Sequence, residues 1–308
     1  MPPWSDILKE IHDLENVTIE SASDRIIQKY LELLQRHTKR DTILYTSSWT
    51  RPTRTNDVVS ITEDDLDGFM EVVYGLKAKE LDLVLHSPGG SPEAAEAIVL
   101  YLHEIFEDIR VIIPHAAMSA ATMISCASNY IVMGKHSFLG PTDPQMFLYT
   151  AHGWTNMAAQ YILDDFDEAQ EISRDDPGKL VAWNPLLSQY TPGFIHECRS
   201  AKELTKELVR EWSKTYMFAG KPDKLARATR ISENLTSDDI FKSHARHIPR
   251  KKCEEMGLEI IHLEDDEILQ DLSLSVFHAA NIFFQHSTAT KIIKNHNDRT
   301  VLSFPPEE

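Results

Sequence analysis

Cysteine is scarce in this chain, at three in 308 residues, and no Cys-x-x-Cys pair occurs. The wide spacing of Cys126, Cys198 and Cys253 argues against a disulfide framework and a cysteine-built zinc site, and fits reduced thiols in a cytoplasmic protein. A His-Glu-x-x-His pattern is also missing, so the sequence predicts no metal and no other cofactor. Long apolar runs are absent too: nothing approaches the roughly 18 consecutive residues of a spanning helix. The opening Met1-Pro2-Pro3-Trp4-Ser5-Asp6 has neither the basic region nor the apolar segment of a secretory signal, so no leader is expected. Positive charge is in deficit, with 31 Lys and Arg against 48 Asp and Glu, a net charge of −17. That balance excludes general nucleic-acid binding and disfavours an anionic membrane surface. Apolar and charged fractions of 42% and 26% are ordinary for a globular protein, and 308 residues can bury a substantial core.

What is present centres on Leu81 to Asp143. Leu81-Asp82-Leu83-Val84-Leu85 is an apolar run that breaks into the turn His86-Ser87-Pro88-Gly89-Gly90. Ile98, Leu102, Ile105 and Phe106 then recur at helical spacing between Pro92 and Glu107. A second apolar run, residues 110–114, enters the small-residue turn 115–122. This is strand, turn, helix repeated, which specifies an α/β fold with a parallel sheet. Ligands of such sheets sit beyond the carboxyl ends of the strands, where both turns lie.

Each turn offers chemistry. Gly89 and Gly90 leave their N–H groups uncovered, and Ala120 adds another at the mouth of a helix, so the three can hold an oxyanion. Ser119 stands among alanines with nothing bulky over its hydroxyl, which suits either a nucleophile or a helix cap.

Further out, two helices are expected over residues 4–37, the second opening at Ser21 to Asp24. A strand at Thr42–Thr46 and a polar loop with Pro52 follow, then a helix capped by Thr62. Tyr130–Met133 reads as a third buried strand and Ser137–Pro141 as a short extended segment. Residues 146–198, punctuated by Pro and Gly, read as an insertion or lid with one helix at 158–172. Ser200–Met217 is a helix, Leu258–Leu263 the last strand, and Asp266–Gln285 an amphipathic helix with an apolar face wide enough for subunit contact. The expected divisions are a helical arm over 1–40, a catalytic domain over 41–265 and a C-terminal helix and tail over 266–308.

His86-Ser87-Pro88-Gly89-Gly90, then Ala117-Met118-Ser119-Ala120-Ala121-Thr122-Met123, then the Gly134–Gln145 block with Gly140-Pro141-Thr142-Asp143-Pro144, together resemble the serine dehydrogenase proteinase family. That family looks like a branch of the Clp peptidase, signal peptide peptidase A and crotonase group. The resemblance runs from about Thr42 to Asn297. It implies a Clp/crotonase-like fold of βα units with helical extensions, and a serine peptidase acting on polypeptide as a homo-oligomer. It also implies Ser119 as nucleophile, with Gly89, Gly90 and Ala120 around the oxyanion.

The base is less plainly marked. Where Clp peptidases carry a histidine this chain has Asp143, which reads as a turn residue tied to backbone N–H groups. Where signal peptide peptidase A enzymes carry a lysine it has Arg199, which cannot usefully lose a proton. Lys202, one turn on, is the candidate, although Arg199, Lys202, Lys206, Arg210 and Lys214 also form a charge stripe of the kind that faces water. His86, His115 and Lys135 are accessory candidates near the strand ends. His244 and His247 flank Arg246 without a metal pattern. Two other readings share the fold: a crotonase-like acyl-thioester enzyme using Glu93 or Asp143, and a scaffold that has lost its base.

Overall fold

The computed structural model describes residues 3–14, 17–51, 56–150 and 153–306. The Pro52 expected in the first polar loop lies outside the described residues.

Helix α1 (Trp4–His12) buries Ile7 and Ile11, and α2 (Ile19–Thr38) buries Ile26, Ile27, Leu31 and Leu34. The opening of α2 is set by Thr18, whose hydroxyl accepts the Ser21 N–H at 3.2 Å. The Ser21–Asp24 start signal therefore lies inside the first turns, because the nearest upstream side chain that could reach a free amide took the capping role. Strand β1 (Asp41–Ser47) leads through the short α3 (Asn56–Val59) to α4 (Asp64–Val73). Thr62 does not cap α4; its own N–H donates to the buried Asp65 carboxylate at 2.9 Å. Strand β2 (Glu80–His86), α5 (Pro92–Ile105), β3 (Asp108–Ile113), the two-residue β4 (Ala116–Ala117), α6 (Ala120–Cys126), β5 (Tyr130–Met133) and β6 (Phe138–Leu139) follow the expected order.

The insertion holds more structure than one helix. A hairpin of β7 (Gln145–Thr150) and β8 (Gly153–Ala158) precedes α7 (Ala159–Asp175) and α8 (Leu180–Leu187). Helix α9 (Phe194–Thr215) starts six residues before Ser200, since Phe194 and Cys198 bury against Met146, Ile162 and Leu163 of the insertion. Then come α10 (Lys224–Leu235), α11 (Asp238–Phe241), β9 (Ile248–Pro249), α12 (Arg250–Met256), closed by Gly257 at φ +106°, and β10 (Ile260–His262). That strand is not the last. After α13 (Glu267–His286), β11 (Lys291–Asn295) and β12 (Thr300–Ser303) are the last strands among the described residues.

Seven strands form the main sheet in the order β10-β5-β3-β2-β1-β11-β12. The first five are parallel, and β11 runs against β1. Alternate residues divide two cores: Ile43, Leu83, Val111 and Ile131 face α4, α5, α6 and α10, whereas Leu44, Val84, Ile112 and Val132 face α1, α2 and α13. The apolar face of α13 is spent mainly on α2 within the same chain. A second, three-stranded sheet stands at the carboxyl ends of the main one, with β4 parallel to β6 and β6 antiparallel to β9.

At the opposite end, Asp82 is fully buried between two arginines. Arg110 grips it through Nε and Nη2 at 2.8 and 2.7 Å, and Arg40 Nε lies 2.8 Å from it. Arg40 also donates to the Asp108 carbonyl at 2.8 Å. Cys126, Cys198 and Cys253 are buried free thiols, and burial pushes the Cys126 thiol up to about 12.

Candidate active site

The turn after β2 is laced to β4: Ser87 N–H donates to Ala116 O at 3.2 Å and Met118 N–H to Ser87 O at 2.9 Å. Gly89 sits where the two strand ends meet. Its φ of +95° suits glycine, and a Cβ there would lie 2.5 Å from Met118 O and 2.6 Å from Ser119 Cβ. The diglycine bend and the serine are thus in van der Waals contact.

Ser119 adopts φ +50°, ψ −120°, a sparsely populated conformation for a residue with a side chain. It occupies the N-cap position of α6, yet its hydroxyl makes no cap bond and has no hydrogen-bond partner among the described residues. The side chain is half-buried. Gly89 N–H is engaged by Ser87 Oγ at 3.1 Å. By contrast, Gly90 N–H and Ala120 N–H have no acceptor among the described residues. A strained serine followed directly by an unengaged amide can attack a carbonyl carbon while that N–H receives the oxygen.

Lys202 is half-buried on α9, one turn from the buried Cys198 and Thr205. Lys206 pairs with Glu233 at 3.5 Å, Lys214 and Arg210 with Glu211, and Arg199 with Asp167 at 3.7 Å. Lys202 is the member of the stripe with no ion pair among the described residues. Among the described residues no hydrogen bond or ion pair links it to Ser119. Arg199 itself is exposed on α9.

His86 is fully buried, with Nδ1 3.0 Å from Ala116 O and Nε2 unpartnered. Burial, reinforced by His115, lowers its pKa to about 3, so it stays neutral. Burial likewise holds the His115 pKa down, with the nearby His247 and His136 adding to the effect. His115 helps to line a cleft of about 650 Å³ with Trp4, Arg51, Phe277 and His278 on the α13 side of the sheet. Lys135 is exposed, and its N–H donates to Glu264 Oε1 at 2.7 Å. Glu93 is exposed as well, with its Oε2 accepting from Ser91 Oγ at 2.8 Å.

Asp143 behaves differently from its expected turn role. It is 4% exposed and accepts from no backbone N–H among the described residues; Oδ2 takes Gln145 Nε2 at 2.7 Å and Oδ1 lies 2.9 Å from His244 Nδ1. This histidine–carboxylate pair spans 101 residues, and only the His244 and Asp143 side chains themselves hinted at it.

The parallel sheet, the helix opening on a strained serine and the glycine bend packed against it define an α/β protein of Clp-peptidase type. Residues 61–212 match a family model described as ClpP-like SDH-type serine proteinase. The chain is 32% identical over 164 residues to an uncharacterized protein of Methanocaldococcus jannaschii, a match covering 51% of this chain and 55% of the relative. It is 33% identical over 144 residues to a second uncharacterized protein of that organism, covering 44% and 47%. The chain thus spans about half the length of the curated relatives it matches. Among solved structures it is similar to a serine-to-alanine mutant of the 1510-N membrane-bound stomatin-specific protease, at 18% identity and TM-score 0.39 over 69% of this chain and 79% of that one. It is also similar to a lysine-to-alanine mutant of the same protease in complex with a substrate peptide, at 18% and 0.40 over 80% and 83%.

Proposed function

We propose that this protein is a serine peptidase that hydrolyses polypeptide through an acyl-enzyme on Ser119. The match of residues 61–212 to a serine proteinase family model supports the class. The observation that carries the assignment of Ser119 is its backbone: φ +50° at a helix mouth, hydroxyl uncommitted, Gly89 packed against its Cβ. Gly90 and Ala120 N–H groups receive the oxyanion, while Gly89 shapes the bend that aims its neighbour. The proton of Ser119 goes to a nearby base, for which the sequence offers Lys202.

A crotonase-like reading has less to work with, because Glu93 is turned out to Ser91 and Asp143 is committed to His244 and Gln145. Assembly into a homo-oligomer belongs to the same proposal. It is supported by Phe147, Tyr149 and Trp154, which the β7–β8 hairpin holds 62%, 67% and 74% exposed. So does a cytoplasmic setting, which the three unpaired thiols support. Among the described residues no helix is long and apolar enough to cross a membrane.

A fluorophosphonate probe tests the central claim. It is expected to modify Ser119 in the wild-type protein and to leave Ser119→Ala unlabelled, with casein hydrolysis lost in the same variant. Labelling elsewhere, or labelling that survives in Ser119→Ala, overturns the assignment.

A further inference from the structure

We infer that Lys291, paired with the buried Asp65, is a positioning residue that holds the Gly89–Gly90 bend in shape for acylation, an inference that rests on the peptidase reading above. The bend is not self-supporting. Ile61 runs beside it, donating its N–H to Gly89 O at 2.7 Å and accepting Ser91 N–H on its carbonyl at 3.0 Å. These two bonds make a parallel bridge between Ile61 and Gly90. In a planar trans peptide the C=O and N–H point in opposite directions. Fixing Gly89 O on Ile61 therefore turns the Gly90 N–H, which belongs to the same peptide unit, away from Ile61. The approach is close, for a Cβ on Gly90 would lie 2.2 Å from Ile61 O. The direction of that amide is thus set by where Ile61 stands.

Ile61 is in turn held from both sides by one ammonium. Lys291 Nζ donates to Ser60 O at 3.1 Å, to Thr62 Oγ1 at 3.2 Å and to Asp65 Oδ1 at 2.6 Å, so its three N–H groups meet three acceptors. The other carboxylate oxygen, Asp65 Oδ2, accepts Thr62 N–H at 2.9 Å and the Tyr45 hydroxyl at 2.9 Å. Burial, with the Asp65 charge second, pushes the Tyr45 phenol well above its ordinary value, so it stays a donor. Lys291 is itself fixed in the sheet. It pairs with Ser47, one rung beyond the pairing of Thr46 with His86, where β2 leaves for the bend.

Stability alone does not account for this pair. A buried ion pair gains little over apolar side chains of similar volume, and α4 already docks through Phe69 and Val72. Apolar side chains could not grip a carbonyl, a hydroxyl and an amide on the two residues that flank Ile61. In the acylation step Ser119 Oγ bonds to the substrate carbonyl carbon and the carbonyl π pair moves to oxygen, where the Gly90 and Ala120 N–H groups meet it. Lys291 touches none of these atoms. It acts through Ser60, Thr62 and Ile61, by keeping the bend from drifting, and a misplacement of about 1 Å in such a site can cost on the order of 100-fold in rate.

The test is the saturation kinetics of Ser119 labelling by a fluorophosphonate in the full chain, which separates probe affinity from the rate of the bound step. Asp65→Asn/Lys291→Met removes both charges together and leaves no lone buried ion. It is expected to keep the wild-type urea midpoint and probe affinity while the bound step slows at least about 10-fold. Thr62→Val deletes one tie of Lys291, leaves the ion pair in place, and is expected to slow the bound step about 3-fold at unchanged affinity. Should the double variant not fold, Thr62→Val decides alone. A bound step at the wild-type rate in either folded variant, or a loss confined to affinity, overturns the inference and leaves Ser119 as nucleophile. Failure of the wild-type protein to label at Ser119 overturns the peptidase reading and this inference with it.

Discussion

The two ends of the parallel sheet are built on opposite terms. At the amino ends, Asp82 sits between Arg40 and Arg110 with both carboxylate oxygens within 2.8 Å of a guanidinium nitrogen. At the carboxyl ends, Ser119 Oγ is uncommitted, and Thr46 Oγ1, Ser47 Oγ, Trp49 Nε1, His86 Nε2, His136 Nε2 and Thr142 Oγ1 are buried without partners. Buried polar groups are ordinarily paired, and each one left over costs about 1–3 kcal/mol. Apart from Arg40 Nε, which is near Asp82 without making a hydrogen bond, and the Lys291–Asp65 pair, the sheet therefore concentrates its satisfied charge at one end and most of its unspent hydrogen-bonding capacity at the other. One end fixes strand register; the other keeps groups available for a reaction.

Substitutions at the two ends should accordingly separate activity from stability. The largest effect is expected at the reactive end, where Ser119→Ala lowers the peptidase rate by at least about 10³-fold. Thermal unfolding of that variant should be no lower than that of the wild type, and Ser119→Gly, freed of the φ +50° strain, should unfold at higher temperature. A melting temperature that falls in both would erase the contrast. Next, Asp82→Leu strips the arginine pair of its anion and is expected to cost about 3–5 kcal/mol in urea unfolding. Its acylation rate per folded molecule should be unchanged, a point that active-site titration checks. Gly89→Ala joins the two properties: the φ of +95° and the 2.5 Å approach to Met118 O predict a loss of about 1–3 kcal/mol together with slower acylation. If only stability changes, the bend does not aim the site.

The smallest effect comes from pH. The folded-state pKa of His86, about 3, lies below its ordinary 6.5, so the folded state declines a proton that the unfolded chain accepts. Stability from this group is complete above pH 6.5 and is lost as pH falls toward 3, at up to about 1.4 kcal/mol per pH unit. Urea midpoints at pH 7 and pH 5, compared with those of His86→Gln, isolate that slope.

The strands of the sheet and the serine turn were legible because the apolar runs are short, β-branched and bounded by glycine and small residues. Three features were not. Lys291-Ile292-Ile293-Lys294-Asn295 falls in the expected tail, yet it forms a strand flanked on both sides in the sheet, since Lys291 Nζ meets the buried Asp65 at 2.6 Å and Lys294 Nζ meets Asp24 and Asp298. Lys291 is made interior by a partner 226 residues away, and Lys294 adds the distant Asp24 to its neighbour Asp298. The β7–β8 hairpin hides because Met146-Phe147-Leu148-Tyr149 is apolar at every position, with no alternation to betray a half-exposed strand. His244 pairs with Asp143 through an antiparallel contact between β6 and β9, each two residues long, too short to leave a pattern.

Cys126 closes the helix that Ser119 opens, and its thiol is inaccessible and held almost wholly protonated at neutral pH. Alkylating reagents attack the thiolate, so in the native protein they must wait for that short helix to detach from its neighbours. The chain thus carries its own stopwatch: the slow modification of one sulfur counts how often the reactive serine's support comes undone.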